Sequence, residues 1–153
     1  MARRKRHSPS AYKTPIYTDE LGRILCRYCK RLVNPPRKTF CSDQCVFEWK
    51  VRTNATFARK MVLVRDKGRC CICGVDTLKL ARQLLLMDKA ARDMQKTALG
   101  IPLHRKTLWD MDHIIAVEDG GGSCGLENLR TLCWKCHQAR TSQQLQSRLK
   151  KKK

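Results

Sequence analysis

Trp109-Asp-Met-Asp-His113-Ile-Ile-Ala-Val-Glu-Asp-Gly-Gly-Gly-Ser-Cys-Gly-Leu-Glu-Asn128-Leu-Arg-Thr-Leu-Cys133-Trp-Lys-Cys136-His137-Gln-Ala-Arg-Thr141 is the stretch on which the reading of this chain turns. Asp112 and His113 precede the apolar run Ile114 to Val117, which predicts a short strand. Gly120 to Gly122 form a flexible turn; no Gly-Lys-Ser/Thr follows, so it is not a phosphate loop. Leu129 to Leu132 predicts a second short strand, and Cys136-His137 opens a helix that runs into a basic tail. Two short strands followed by a helix predict a small α+β fold.

Working outward, Cys133-x2-Cys136 has a distant partner in Cys70-x2-Cys73, and Cys26-x2-Cys29 is followed by Cys41-x3-Cys45. Short Cys-x2-Cys loops bring two thiolates to one side of a tight turn, and two such loops fill a tetrahedral zinc site. A full site is structural, with no open position for catalysis. Two structural zinc sites are therefore expected, from Cys26, Cys29, Cys41 and Cys45, and from Cys70, Cys73, Cys133 and Cys136. Cys70-Cys71-Ile72-Cys73 offers two first ligands; Cys70 restores the x2 spacing, which leaves Cys71 and Cys124 as ordinary thiols.

The 153 residues carry 33 Lys and Arg against 13 Asp and Glu, a formal charge of +20. Even with both zinc sites filled by thiolates the protein stays strongly cationic, which favours a polyanion, nucleic acid before membrane. Apolar runs such as Met61 to Val64 and Leu84 to Met87 are too short to span a bilayer. No apolar stretch follows the basic start, so an intracellular protein is expected, nuclear in a eukaryote and otherwise cytoplasmic. The predicted organisation is a disordered basic tail over 1–11, a four-cysteine zinc-finger unit over 12–60, a second cysteine-bearing domain over 61–141 with a helical insertion over 76–99, and a second basic tail over 142–153. Phe47 and Trp49 are expected to pack inside the first unit. A helix is predicted over 54–67 with Phe57, Met61 and Val64 on one side. A long amphipathic helix is predicted over 76–99 through Leu80, Leu84, Met87, Ala91, Met94 and Ala98. Whether that helix dimerises the chain is open, so both monomer and homodimer stand.

Asp112-His113, Asn128 after fourteen intervening residues, and His137 directly after Cys133-x2-Cys136 together resemble the HNH nuclease family, which has a ββα-metal fold. Cys70-x2-Cys73-Gly74 matches the zinc-stapled form of that family. Phe40-Cys-Ser-Asp-Gln-Cys45 and Trp49-Lys-Val-Arg-Thr-Asn54 extend the likeness to the nuclease domains attached to annealing helicases with a Ran-binding zinc finger, over roughly residues 25–141. Only nuclease properties are carried over. The segment 74–111 is longer than in compact members, and its role is open. The resemblance implies a DNA phosphodiesterase in which Asn128 fixes the loop that bears His113.

The residue chemistry agrees. Water is a poor nucleophile, with a pKa of about 15.7. A neutral imidazole near its ordinary value of about 6.5 can take its proton, and His113 is the candidate base. Asp112 and His137 would hold a divalent cation, Mg2+ or Mn2+, leaving positions open for phosphate oxygens. Adjacent residues of a regular strand point to opposite faces. The chain must therefore bend at 112–113, or the two side chains act from either side of the phosphate. Lys135 and Arg140 would lie beside the DNA backbone on the final helix. Taken singly, each histidine could be an ordinary surface or core residue. The competing reading of the whole chain is a non-catalytic zinc-finger module that binds nucleic acid.

Overall fold

The computed structural model describes residues 16–151, so the 1–11 tail lies outside the described residues. The chain forms two compact units that divide between Trp49 and Lys50. The fold is small and α+β, with two antiparallel two-stranded sheets and five helices among the described residues. No helix among those residues is long and apolar enough to cross a membrane.

In the first unit, β1 (Tyr17–Thr18) pairs with β2 (Ile24–Leu25). Asp19 closes the turn between them, its Oδ1 accepting from the backbone N–H groups of Leu21 at 3.1 Å and Arg23 at 2.9 Å. The Cys26 N–H then donates to Arg31 O, and the Lys30 N–H returns to Cys26 O, folding Cys26–Cys29 into a tight loop. Cys45 sits on α1 (Asp43–Thr53). The sulfurs of Cys29 and Cys41 are 3.4 Å apart and those of Cys41 and Cys45 are 3.5 Å apart. Phe40 and Trp49 pack at 5.6 Å between ring centroids, which places Trp49 in the packing of this unit.

The second unit is built on β3 (Trp109–His113) and β4 (Leu129–Cys133), with Asp112 opposite Arg130 and His113 opposite Leu129. The first strand thus lies before the apolar run, not in it. Ile114 and Ile115 are exposed at 48% and 56%, and Val117 begins a short 3-10 turn. A two-stranded sheet leaves backbone groups unpaired on both edges, and they need partners. The helix α2 (Ala55–Asp66) supplies them from its polar side chains. Asp66 Oδ2 accepts the Thr131 N–H at 3.0 Å, and Arg65 donates to the carbonyls of Leu126 and Leu129, each at 2.6 Å. Arg59 donates to Trp109 O at 3.0 Å with its guanidinium 3.9 Å from the centre of the Trp109 ring. Ala58 and Val62 form the buried stripe of α2, whereas Val64 is 65% exposed; the buried face lies one residue on from the predicted Phe57 and Met61 and leaves Val64 outside it. Burial pushes the Asp66 carboxyl up, but the Arg65 guanidinium and the Thr131 N–H outweigh it and hold Asp66 below its ordinary value.

The predicted helix over 76–99 is two helices, α3 (Thr77–Leu85) and α4 (Lys89–Ala98). Asp88 breaks it by accepting the Ala91 N–H at 2.9 Å as the N-cap of α4, just as Asp76 caps α3 through the Lys79 N–H. Leu84 is buried, but Met94 is 74% exposed, so the hydrophobic stripe does not run through both helices. After α4, Ile101 and Leu108 enter the core with Leu84, Leu132 and Trp134. The final helix, α5 (Trp134–Lys151), starts two residues before the predicted Cys136 and extends through most of the stretch read as a tail.

Cys70 and Cys133 belong to that same core, and with Cys73 and Cys136 their ligand atoms all lie within 4.8 Å of one another. The sulfurs of Cys26, Cys29, Cys41 and Cys45 are gathered just as closely. A tetrahedral zinc with bonds of about 2.3 Å places its sulfurs about 3.8 Å apart, so the observed separations suit that ion. Thiol chemistry agrees. The Arg31 side chain brings the Cys29 thiol down to about 6, while neighbouring sulfurs push Cys41 up to about 12. Burial opposes ionisation of Cys70, but the backbone N–H groups of Cys73, Cys133 and Ile72 bring it down to about 6. Burial and the other three sulfurs raise Cys136. A cation held among them would offset the repulsion between four crowded thiolates. Cys71 is exposed and outside the cluster, its N–H paired with Thr131 O at 3.0 Å.

Cys70→Ser should therefore lower the zinc content from two ions per chain to one, and Cys71→Ser should leave it at two, by elemental analysis of purified protein. A loss of zinc in Cys71→Ser would reverse the ligand assignment. Asp66→Ala, which orphans the Thr131 N–H, should cost about 1–3 kcal/mol of stability in denaturant unfolding at neutral pH.

Candidate active site

β3 is short, and its alternation sorts the site into two faces. Asp110 and Asp112 share one face. Asp112 Oδ2 receives Arg130 through Nε at 3.1 Å and Nη2 at 3.0 Å, and lies 2.9 Å from Arg140 Nε of α5. All three contacts fall on Oδ2, so among the described residues Oδ1 is left available. Asp110 Oδ2 lies 3.1 Å from Nδ1 of His137 on α5 and also pairs with Arg105. His137 and the two acids therefore meet on the α5 side of the sheet, where the His137 imidazole pairs with Asp110.

Met111 and His113 take the other face. His113 lines a cavity of about 240 Å³ with Val51, Ala58, Gly122 and Leu129. Its imidazole makes no hydrogen bond or ion pair among the described residues, and it is neither buried nor fully exposed. Of the two arrangements open for residues 112 and 113, the structure takes opposite faces: the ladder continues to the His113–Leu129 pair and the chain leaves the strand only afterwards.

Asn128 holds the departing loop. Its Oδ1 accepts the Ile115 N–H at 2.7 Å, and its Nδ2 donates to Ile115 O at 3.1 Å and Gly121 O at 3.0 Å. Its backbone carbonyl accepts the Ile114 N–H at 2.8 Å. Gly121 is needed where it stands, since a Cβ there would lie 2.0 Å from Ile115 O and 2.6 Å from Asn128 Nδ2. Arg140 closes the loop from outside, donating to His113 O at 2.8 Å and Ile114 O at 2.7 Å. Arg140 is thus a buttress of the site, while Lys135 stands exposed on the first turn of α5. A polar groove of about 590 Å³ runs between this loop and α5, lined by Ile114, Ile115, Arg140, Gln143, Gln144 and Arg148.

The sequence reading missed Asp110, Arg130 and Arg105. Asp110 and Asp112 are spaced two apart, which is the signal for a shared strand face. Arg130 could be found only from the register, which places it opposite Asp112.

A family model described as HNH endonuclease matches residues 100–143. The DNA annealing helicase and endonuclease ZRANB3 of Mus musculus is 34% identical over 155 aligned residues, covering 85% of this chain and 14% of that protein. The Homo sapiens protein of the same name is 30% identical with the same coverage. The chain thus spans 14% of the length of these curated relatives. The crystal structure of the human ZRANB3 HNH domain superposes with a TM-score of 0.55 at 31% identity, covering 65% of this chain and 97% of that domain. On the motif, the fold and this match together, the chain belongs to the HNH endonuclease family.

Proposed function

We propose that the chain is a metal-dependent endonuclease that hydrolyses DNA phosphodiester bonds. The observation that carries this reading is the division of β3: an imidazole without a partner among the described residues on one face, and carboxylates with a second imidazole on the other. In-line displacement at phosphorus needs its nucleophile and its leaving oxygen on opposite sides of the phosphate. A strand end that presents His113 on one side and Asp112 with His137 on the other suits that requirement.

Oxygen and imidazole donors fit a hard or borderline divalent ion. Asp112 through its open Oδ1 and His137 would hold Mg2+ or Mn2+, and such an ion, when bound, offsets charge on the phosphate and on the departing 3′ oxygen. His113 accepts the proton of the attacking water, and a base without a competing hydrogen-bond partner is ready to do so. Asn128 keeps the His113 loop in place through three side-chain bonds. Arg130 and Arg140 set the Asp112 carboxylate. Lys135 and Arg140 meet the DNA backbone, for Arg140 by exchanging one of its carbonyl partners, and backbone contacts orient a duplex without reading its sequence. The zinc clusters hold the scaffold, and eight metal-held thiols suit an intracellular compartment.

With zinc-loaded protein, plasmid DNA and Mg2+ or Mn2+, nicks or breaks are expected. His113→Ala should lower cleavage by about 10²–10⁴-fold while DNA binding in a mobility-shift assay is kept. Cleavage at the wild-type rate would reject His113 as base, and absence of cleavage with every divalent ion would favour the binding-module reading. Asn128→Ala should lower stability by about 2–3 kcal/mol, at about 1 kcal/mol for each of its three side-chain bonds, and should reduce cleavage with it.

A further inference from the structure

The segment between the Cys70–Cys73 loop and β3 connects to the site through a chain of polar contacts. Lys96 on α4 donates from Nζ to Leu103 O at 2.9 Å and to Arg105 O at 3.0 Å. Arg105 donates from Nε to Thr107 O at 2.7 Å and from Nη2 to Asp110 Oδ2. That same oxygen lies 3.1 Å from His137 Nδ1. Ile101 and Leu108, both buried, fix the two ends of the connecting segment in the core. Nothing in this path touches His113 or Asn128.

We propose that Asp110 is a positioning residue for His137, held by Arg105, which Lys96 of the inserted helix pair keeps in place. An imidazole has two nitrogens, and a proton donated from Nδ1 to a carboxylate leaves the Nε2 lone pair bare. Such a bond fixes both the tautomer and the rotation of the ring, the two properties that decide whether a histidine can hold a metal. Without Asp110 the tautomers compete and the ring turns about its Cβ. Arg105 completes the arrangement, since its rigid guanidinium donates to the same Oδ2 that lies 3.1 Å from His137 Nδ1 and so sets where that oxygen stands. The proposal rests on the reading of His137 as a metal ligand, and it gives the long 74–111 segment a task within the site.

The test uses the zinc-loaded full chain, 15N-labelled, without added divalent ion, at about pH 8, above the ordinary imidazole value of about 6.5. Long-range proton–nitrogen spectra should show His137 protonated at Nδ1 and bare at Nε2. In Asp110→Ala the proton should move to Nε2, and Mn2+ affinity by calorimetry should fall about 10–100-fold. Arg105→Ala leaves Asp110 in place and should shift tautomer and affinity in the same direction by less, with Arg105→Lys restoring most of the loss. This second pair keeps the test decisive if Asp110→Ala does not fold. A wild-type His137 protonated at Nε2, or variants with unchanged tautomer and intact zinc content, would overturn the proposal while His137→Ala still abolished Mn2+ binding. If His137→Ala bound Mn2+ as tightly as wild type, the ligand reading itself would fall, and the proposal with it.

Discussion

The sulfur cluster of Cys70, Cys73, Cys133 and Cys136 sits at the corner where β4 turns into α5. Two of its members belong to the loop before α3, and the other two flank the first turn of the last helix. Fixing that corner sets the angle at which α5 leaves the sheet, and α5 carries His137 and Arg140. The cluster is also continuous with the hydrophobic core, since Cys70 and Cys133 are buried beside Leu132 and Trp134. A two-stranded sheet and one helix bury too little apolar surface to hold such a geometry unaided. Zinc in this position would tie together chain segments that the small core leaves weakly joined.

Charge around the site also serves the scaffold. Arg59, Arg65, Arg130 and Arg140 all place guanidinium groups on backbone carbonyls or carboxylates of the hairpin. In a chain of formal charge +20, part of the excess is therefore structural. Two arginines converge on the single carboxylate of Asp112, which leaves the surroundings of that acid positive and suited to an anionic ligand. Composition alone does not separate these buttressing arginines from exposed cations such as Lys135.

Much of this was legible in the sequence because the signals are local. The short-spaced cysteine pairs predicted both clusters, Leu129–Leu132 predicted β4, and the Asn128 side chain bonds the backbone of Ile115, two residues after His113. The misplaced first strand has a physical cause. Ile-Ile-Ala-Val has high β-propensity, yet it lies in an exposed loop that Asn128 and Arg140 hold by hydrogen bonds. The true strand, Trp-Asp-Met-Asp-His, is rich in charge because one of its faces meets arginines and α5. The split between α3 and α4 depends on Asp88 acting as a cap, and periodicity continued across it conceals that choice. Asp110, Arg105 and Lys96 depend on tertiary contacts, which no local pattern encodes.

The β3–β4 ladder also has a parity. Its five rungs pair Trp109 with Cys133 at one end and His113 with Leu129 at the other. A slip of one rung would trade even-numbered residues for odd ones, turning both acids away from α5 and bringing Met111 and His113 toward it. The thiol anchor at one terminus and the amide clasp at the other act as a phase lock on this short ribbon. Lengthening the Gly120–Gly122 bend by a single residue would strain the clasp before it reached the anchor, so errors of alignment would originate at the loop end and travel inward.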